Sequence, residues 1–402
     1  MPGESVGFIE RLGRGIAESA WEDWLVKLVA AVIVGLMGVV LTNAMRRFGP
    51  KLRSAWMARQ HMDRALGAVA PESKGLWLAA RYRPRPPDDY QNKIRVSKPI
   101  IVVANLKGGV GKTTIASNLI AHYAIKKNER VLGIDLDFQG SLSANALSQE
   151  DRNQLLIEQS DGGLSKAARL IDDRDAQWLR DAPNPIHNVP RGKLIPAYYS
   201  LAAMENRVMI EWLLGKRTRD IRYHLAHVLH DPNIQNAFDR IIIDAPPRLT
   251  TGSVQALCAA THVLIPTILD DLSAEAVGAF ADQLRIHQDI WPHLRIIGAV
   301  GTMTARAPTL NGELQDNPLN DVEIDALAAG RNALFAALET AKHPLREATF
   351  LPIECFVPDK RELSRAAGHG IAYASPSQAA PFQAIRESFD ILGDEIYKRL
   401  RS

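Results

Sequence analysis

Residues 100–114 read IIVVANLKGGVGKTT, a run of β-branched residues that passes into a glycine-rich loop. The first five residues predict a buried strand, and a helix is expected to begin near Thr113. The loop has the spacing G-x-x-x-x-G-K-[ST] in a variant form, because Leu106 stands where the usual pattern has its first glycine. A strand, a glycine loop, a Lys-Thr pair and a helix in this order are typical of phosphate-binding sites.

The chemistry of this loop suits a nucleoside triphosphate. Glycines let consecutive backbone N–H groups point at phosphate oxygens, and the helix N-terminus adds partial positive charge. Lys112 is expected to neutralise the β- and γ-phosphates, and the Thr113 hydroxyl to bind Mg²⁺. The sequence therefore predicts that ATP and Mg²⁺ bind at Lys107, Gly108, Gly109, Val110, Gly111, Lys112, Thr113 and Thr114.

Carboxylates follow two further strands of the predicted sheet. The segments VLGIDLDFQG (131–140) and RIIIDAPP (240–247) each end an apolar run with aspartate. Because ligands bind at the carboxyl ends of parallel strands, we expect Asp135, Asp137 and Asp244 to lie near the phosphate loop. Asp135 and Asp244 are predicted, together with the threonine hydroxyl, to hold the metal ion, and Asp137 to orient the attacking water.

Short apolar runs alternate with longer helical stretches from residue 99 onward. This alternation predicts an α/β fold of the P-loop NTPase type, a three-layer sandwich whose mostly parallel sheet is covered by helices. Near the C-terminus, apolar residues at helical spacing from Ile385 to Leu400 predict an amphipathic helix packed on its own domain. The predicted strands are Ile100–Ala104, Val131–Asp135, Arg240–Asp244, His262–Pro266, Ile296–Thr302 and Phe350–Phe356.

The N-terminal segment, residues 1–50, contains an unbroken apolar run from Leu28 to Leu41. Two tryptophans precede this run and basic residues follow it, as at the ends of many membrane helices. Extended to Met45, the helix is about 27 Å long at ~1.5 Å per residue, slightly short of a hydrocarbon core of ~30 Å. We therefore expect a single-pass anchor at about 25–45, with the rest of the chain at the cytoplasmic face of the inner membrane. An interfacial helix, a buried core helix and a signal peptide are the alternatives.

The remaining segments follow from composition. Residues 51–98 are predicted to be a linker, helical at first and then extended, because three of the four residues 84–87 are proline. The nucleotide-binding domain is then residues 99–402. The net charge of +3 does not by itself indicate a nucleic-acid partner, and the two cysteines in apolar surroundings favour a reducing compartment over a disulfide.

These segments resemble the ParA/MinD family of deviant Walker A P-loop ATPases. The likeness rests on residues 105–114, 135–140 and 244–247 and on the later stretches 297–303 and 356–358, and it covers roughly three-quarters of the chain. The resemblance implies a slow ATPase, stimulated by a partner protein, that forms a homodimer when it binds ATP. It also implies attachment to a surface, either DNA or a membrane, and a protein activator or cargo.

The resemblance also implies roles for single residues. Lys107 corresponds to the signature lysine that reaches the phosphates of the partner subunit, and Asp137 corresponds to the hydrolytic aspartate. Pro358 and Asp359 correspond to the segment that packs near the adenine. Phe138 departs from the family pattern, because many ParA-type members have proline at this position.

Three functions are open at this point. The first is a membrane-tethered positioning or assembly ATPase. The second is a plasmid or chromosome partition ATPase that binds nonspecific DNA; Glu362 stands where DNA-binding members have a basic residue, with Arg361 and Arg365 beside it. The third is a regulator of polysaccharide export, whose relatives often end in a tyrosine cluster, whereas this C-terminus offers only Tyr397.

Overall fold

The computed structural model describes residues 85–160, 162–304, 319–339, 349–359 and 370–401, together with residues 76–78, residue 363 and scattered helical residues between 24 and 63. The chain divides into two compact units, residues 1–67 and residues 68–402.

In the first unit, the described residues 33–39 of the apolar run are helical and exposed. Val34 and Met37, for example, are 69% and 67% exposed. Part of the anchor predicted at about 25–45 lies outside the described residues. Among those that are described, no helix is both long enough and apolar enough to cross a membrane.

The second unit is built on a single sheet of eight strands. They are β1 (Ile100–Val103), β2 (Val131–Asp135), β3 (Asn184–Ile186), β4 (Val189–Ile195), β5 (Arg240–Asp244), β6 (His262–Ile268), β7 (Arg295–Thr304) and β8 (Val357–Pro358). Their order in the sheet is β3-β4-β2-β5-β1-β6-β7-β8. Every neighbouring pair is parallel except β3 and β4, which confirms the predicted mostly parallel α/β sheet.

Helices connect and flank these strands. Those described in this unit are α1 (Tyr90–Val96), α2 (Lys112–Ile125), α3 (Ser141–Ala146), α4 (Gln149–Ser160), α5 (Lys166–Asp172), α6 (Ala176–Asp181), α7 (Ser200–Leu213), α8 (His224–Leu229), α9 (Pro232–Ala237), α10 (Thr251–Ala259), α11 (Asp271–Ile286), α12 (Asp321–Leu338) and α13 (Ala380–Arg399). The predicted amphipathic helix near the C-terminus is confirmed, because α13 buries Ile385, Phe389, Leu392 and Ile396.

The central strands explain where the site is. β1, β2 and β5 are buried along their whole length, which is why they are continuous apolar runs rather than alternating ones. Asp244 is in register with Val103 on one side and with Asp135 on the other. The strands that precede the phosphate loop and the two predicted aspartate segments therefore end side by side.

The prediction of a strand at Phe350–Phe356 is wrong. Phe350 makes only an isolated bridge, Ile353–Cys355 is a 3-10 turn, and the edge strand β8 follows it. Pro352 accounts for the break, because it has no N–H to continue the ladder. The short strands β3 and β4 at the other edge were not predicted, since each contains a proline that masks its strand character.

Residues before β1 are part of the same unit. The Tyr90 hydroxyl, in α1, donates to the Cys258 carbonyl, and its ring packs edge-on against Tyr223. Ile94, one turn further along α1, is also buried. The last part of the range assigned to a linker, residues 51–98, is thus packed on the nucleotide-binding domain.

Candidate functional site

The glycine loop begins where β1 ends and leads directly into α2. Gly109 and Gly111 have φ angles of 73° and 80°, a left-handed backbone that glycine adopts without strain. A Cβ built on Gly108 or Gly109 would meet no atom within 4 Å, so the space in front of the loop is open. On the other side, the Thr302 hydroxyl donates to the Val110 carbonyl over 3.0 Å. The result is a fixed, open backbone cradle of the kind that holds phosphate.

Lys112 lies inside this cradle rather than in solvent. The residue is only 7% exposed, and its Nζ donates to the Lys107 carbonyl oxygen over 2.8 Å. Burial lowers the pKa of Lys112, while Asp244 and Asp137 act in the opposite direction. An ammonium group has three N–H donors, so those not used by the loop are available to phosphate oxygens.

Asp244 and Thr113 form a candidate cation site at the edge of the cradle. Thr113 Oγ1 donates to Asp244 Oδ2 over 2.7 Å. Asp244 Oδ1 is buried and has no hydrogen-bond partner in the described part of the chain. Burial raises the pKa of Asp244, and the nearby Asp135 carboxylate raises it further. A hard divalent cation would relieve both effects, because it supplies positive charge and a bond to the orphaned oxygen, so these residues fit Mg²⁺.

Asp135 lies beside Asp244, but both of its carboxylate oxygens already accept hydrogen bonds. Its Oδ1 accepts from the Asp137 N–H over 3.1 Å, and its Oδ2 accepts from the N–H and hydroxyl of Ser143 over 2.8 and 2.7 Å. Burial raises the pKa of Asp135 to about 7. Of the three residues predicted to hold the metal, Asp135 therefore fixes the loop after β2, whereas Asp244 presents the open oxygen.

Ser143 is a residue that sequence reasoning missed. It lies in the first turn of α3, and its hydroxyl also accepts from the Ala197 N–H over 2.9 Å. The signal for it was present but weak, because Gly140 followed by two serines marks a helix start without pointing to a carboxylate.

Asp137 lies at the mouth of the site. Its Oδ1 accepts from the Gln139 N–H over 3.0 Å, which closes a tight turn after β2. The next residue, Phe138, lies under the guanidinium of Arg248 at 5.6 Å from the ring centroid. Arg248 follows the segment after β5, so a cation–π contact joins the two loops that flank the site.

Lys107 is turned towards its own subunit. Its Nζ donates to Asp270 Oδ1 over 3.1 Å and to Ser273 Oγ over 2.6 Å, at the start of α11. The two side chains of the ion pair are 29% and 44% exposed. An ion pair this accessible contributes about 0–1 kcal/mol, so Lys107 can leave it easily.

Glu205 is a second residue that was not predicted. It is buried on α7, and its Oε1 accepts from the Thr250 hydroxyl and from the Gly252 N–H, the latter over 2.9 Å. Burial raises the pKa of Glu205, and these two hydrogen bonds partly offset the change. Glu205 thereby fixes the start of α10 and the loop that follows β5. Its position between Leu201 and Val208 on the apolar face of α7 was the only signal in the sequence.

A cavity of about 300 Å³ adjoins the cradle, a suitable size for a nucleoside. Both residues predicted to lie near the adenine, Pro358 and Asp359, line it, as do Gly111 and Thr114 of the loop. Asn118 lies at its wall and is held in place, because its Oδ1 accepts from the Tyr373 N–H over 2.8 Å. The structure therefore brings the phosphate loop and the predicted adenine segment to one cavity.

Comparisons with known proteins agree with this geometry. A family model described as an AAA domain matches residues 98–296. The chain is 34% identical over 218 residues to an uncharacterized protein of Pseudomonas putida, with 54% of this chain and 73% of that protein covered. It is 30% identical over 204 residues to the chromosome-partitioning ATPase Soj of Thermus thermophilus, with 50% and 68% covered.

A solved structure of pnob8 ParA has a TM-score of 0.52 to this chain at 18% identity, covering 75% of this chain and 98% of that one, which shows the shared fold. The fold alone does not define the family. The identity to the Soj relative and the deviant phosphate loop do. The chain therefore belongs to the ParA/MinD family of deviant Walker A P-loop ATPases, and it is an ATPase.

Proposed function

We propose that this protein is a membrane-associated positioning ATPase, which dimerises when it binds ATP and Mg²⁺ and thereby positions or assembles a cargo. One observation carries the nucleotide-binding part of this proposal. Asp244 Oδ1 is buried, lacks a partner among the described residues, and lies beside the Thr113 hydroxyl at an open glycine loop. This arrangement offers a place for a divalent cation and for a triphosphate at the same time.

Binding in this proposal uses groups that are already in place. The N–H groups of residues 108–111 and the start of α2 hold the phosphates, and Lys112 exchanges the Lys107 carbonyl for phosphate oxygens. Mg²⁺, when bound, neutralises charge on the β- and γ-phosphates. Asp137 orients the attacking water by accepting a hydrogen bond from it. Little covalent chemistry is needed from the protein, because phosphoryl transfer depends mainly on position and charge.

The switch in this proposal is the choice of partner for Lys107. In the single subunit, Lys107 is paired with Asp270 and Ser273. In the ATP-bound homodimer, its ammonium moves to the phosphates of the partner subunit, where several negative charges replace one exposed carboxylate. Hydrolysis and phosphate loss remove that attraction, and the pair with Asp270 forms again. A partner protein that acts on the loops around Asp137 and Arg248 would set the rate of this cycle.

The N-terminal segment supports attachment to a membrane. Its described residues 33–39 form an apolar helical stretch with exposed side chains, and tryptophans precede it in the sequence. Exposed apolar surface of this kind is unfavourable in water and favourable in a bilayer. The Soj relative is named for chromosome partitioning, so nonspecific DNA is the competing surface.

The nucleotide part of the proposal is tested by replacing Asp244 with Asn, which keeps the side chain's shape and removes its charge. We expect Mg²⁺ to tighten ATP binding by the wild-type protein and to have little effect on the variant, measured by fluorescence titration with and without Mg²⁺. Asp282→Asn, on the surface helix α11, is the matched control. Equal Mg²⁺ dependence in wild type and Asp244→Asn would contradict the proposed cation site.

The surface to which the protein attaches, membrane or DNA, is tested with the full chain. The double substitution Val34→Asp and Met37→Asp adds two charges to the apolar stretch, and each charge within a hydrocarbon core costs on the order of 3 kcal/mol. In a vesicle flotation assay, we expect the wild-type protein to rise with the vesicles and the double variant to remain in the bottom fraction. Val322→Asp on α12 should behave as wild type. If wild type ignores vesicles and instead binds DNA in a salt-dependent way, the partition function replaces this one.

A further inference from the structure

A second cavity lies at the opposite ends of the strands from the nucleotide site. It is formed where β1, β6 and β7 begin, whereas the nucleotide site follows the ends of β1, β2 and β5. Its volume is about 350 Å³, within the range of small-ligand sites. Its polar lining consists of Arg95, Ser97, Thr261, His262, His293 and Arg295.

The charges in this second cavity are all of one sign. No aspartate or glutamate of the described residues lines it. Neither Arg95 nor Arg295 forms an ion pair with any carboxylate that the structure describes, whereas Arg130, Arg217 and Arg240 each have at least one. Both guanidinium groups line one cavity, so an anion bound there would interact favourably with both of them.

His262 lies beside one of these arginines and becomes a third donor only when its ring is protonated. It is in register with Arg295 on the neighbouring strand. The Thr261 hydroxyl donates to the Ile100 carbonyl over 3.0 Å and therefore accepts from His262 Nδ1 over 2.8 Å. Burial lowers the pKa of His262 to about 4, and Arg295 and Arg240 lower it as well. The imidazole is thus neutral at pH 7 with Nε2 unprotonated, and a bound anion would favour its protonation.

We propose that this cavity binds a phosphate group between the guanidinium groups of Arg95 and Arg295. Guanidinium matches phosphate in shape and in hydrogen-bonding geometry, and both arginines are exposed, so a phosphate group can reach them from solvent. Two sources share this chemistry. One is a free or small-molecule phosphate; the other is a phospholipid headgroup, since Arg95 is on α1, which follows the N-terminal segment in the sequence.

The first test measures inorganic phosphate binding by calorimetry. The full chain is saturated beforehand with a non-hydrolysable ATP analogue and Mg²⁺, so that the glycine loop is closed to the probe. We expect one saturable phosphate site, weakened roughly tenfold or more by Arg95→Ala and by Arg295→Ala, since each substitution removes a charge-assisted hydrogen bond. Arg331→Ala, an arginine on α12 outside the cavity, should bind as wild type does. The side-chain NMR signals of His262 should move with the same titration.

The second test distinguishes the two sources of phosphate. The same proteins are sedimented with phosphatidylcholine vesicles and with vesicles that also contain phosphatidylglycerol. A small-molecule site predicts phosphate binding and no difference between the arginine variants and wild type on either vesicle. A headgroup site predicts that Arg95→Ala with Arg295→Ala loses the extra binding to the anionic vesicles. Either result supports the cavity as a phosphate site.

The inference is overturned if wild type shows no saturable phosphate binding and the double arginine variant matches wild type on both vesicles. Its failure differs from failure of the nucleotide site. Both arginines lie at the opposite ends of the strands from the glycine loop. ATP hydrolysis should therefore continue at the wild-type rate in either variant. A loss of hydrolysis in the arginine variants would likewise contradict a separate site.

Discussion

The nucleotide site has a floor and a rim that differ in burial. The floor consists of Lys112, Thr113, Asp135 and Asp244, and the rim consists of Lys107, Asp137, Arg248 and Asp270. On the floor, the lysine and the two aspartates are 7%, 0% and 1% exposed. On the rim, the side chains of Lys107 and Asp270 are 29% and 44% exposed.

This difference separates binding from switching. Charges on the floor interact in a region of low dielectric constant. Their electrostatic interactions with one another and with a bound ligand are therefore strong. Contacts on the rim are screened by water and contribute about 0–1 kcal/mol each. A site of this kind can keep its affinity for nucleotide while Lys107 exchanges one partner for another.

The largest expected effect is on the floor. Lys112→Ala removes the only ammonium group inside the cradle, among the residues that the structure describes, and with it the charge that meets the β- and γ-phosphates. We expect ATP affinity to fall roughly a hundredfold or more, as for the loss of a buried charged contact worth about 3 kcal/mol. A nucleotide titration that gives equal affinities for Lys112→Ala and wild type would remove the distinction between floor and rim.

The matched controls for Lys112→Ala are on the rim. Lys107→Ala should bind ATP within a few-fold of wild type but should no longer form the ATP-dependent dimer in light-scattering measurements. Asp270→Asn keeps an acceptor for the Ser273 N–H at the start of α11 and removes only the charge that holds Lys107. It should dimerise at least as readily as wild type, by up to about fivefold in the dimerisation constant.

The sequence predicted the floor far better than the rim. Floor residues are local to motifs at the ends of β1, β2 and β5, and parallel strands bring such ends together without further information. The pair of Lys107 with Asp270 joins positions 163 residues apart, and no pattern in either segment points to the other. The two hydrogen bonds from Ser143 to Asp135 join positions only 8 residues apart, and they were missed because no motif marks this serine as a partner of a carboxylate.

The edges of the sheet show the same limit. Central strands were predicted because burial on both faces makes them uniformly apolar. The edge strands β3 and β8, and β4 next to β3, each include a proline and were either missed or misplaced. The fold class could therefore be predicted from the buried central strands, whereas the contacts of the rim residues could be seen only in the structure.

A smaller effect is expected from the support behind the rim. Glu205→Ala leaves the buried Gly252 N–H without its acceptor, and it releases the loop that bears Arg248. We expect urea unfolding to show a loss of about 1–3 kcal/mol. In steady-state assays, kcat should fall while KM for ATP changes little, because the floor is untouched.

Glu205→Gln is the control for this prediction, since its amide oxygen can still accept from Thr250 and Gly252. It should recover most of the stability and most of kcat. A kcat as low in Glu205→Gln as in Glu205→Ala would mean that the negative charge, rather than the hydrogen bonding, is what matters at this position.

The last prediction is a pH dependence that originates on the floor. The pKa of Asp135 is raised from 3.8 to about 7 by burial, so the folded protein holds this proton more tightly than the unfolded chain does. The stability that this group contributes is complete below about pH 4 and is lost as the pH rises through 7. Asp135→Asn cannot lose a proton in this range. Without nucleotide, the melting temperature of wild type should therefore fall by a few degrees relative to Asp135→Asn between pH 4.5 and 7.5.

Nucleotide should reduce this difference, because a cation bound at Asp244 favours the ionised form of the neighbouring Asp135. Melting curves with a non-hydrolysable ATP analogue and Mg²⁺ should show wild type and Asp135→Asn diverging less with pH than they do without ligand. Parallel melting temperatures across the whole pH range in the absence of ligand would mean that Asp135 is ionised throughout. The low-dielectric floor, and with it the contrast to the water-screened rim, would then be wrong.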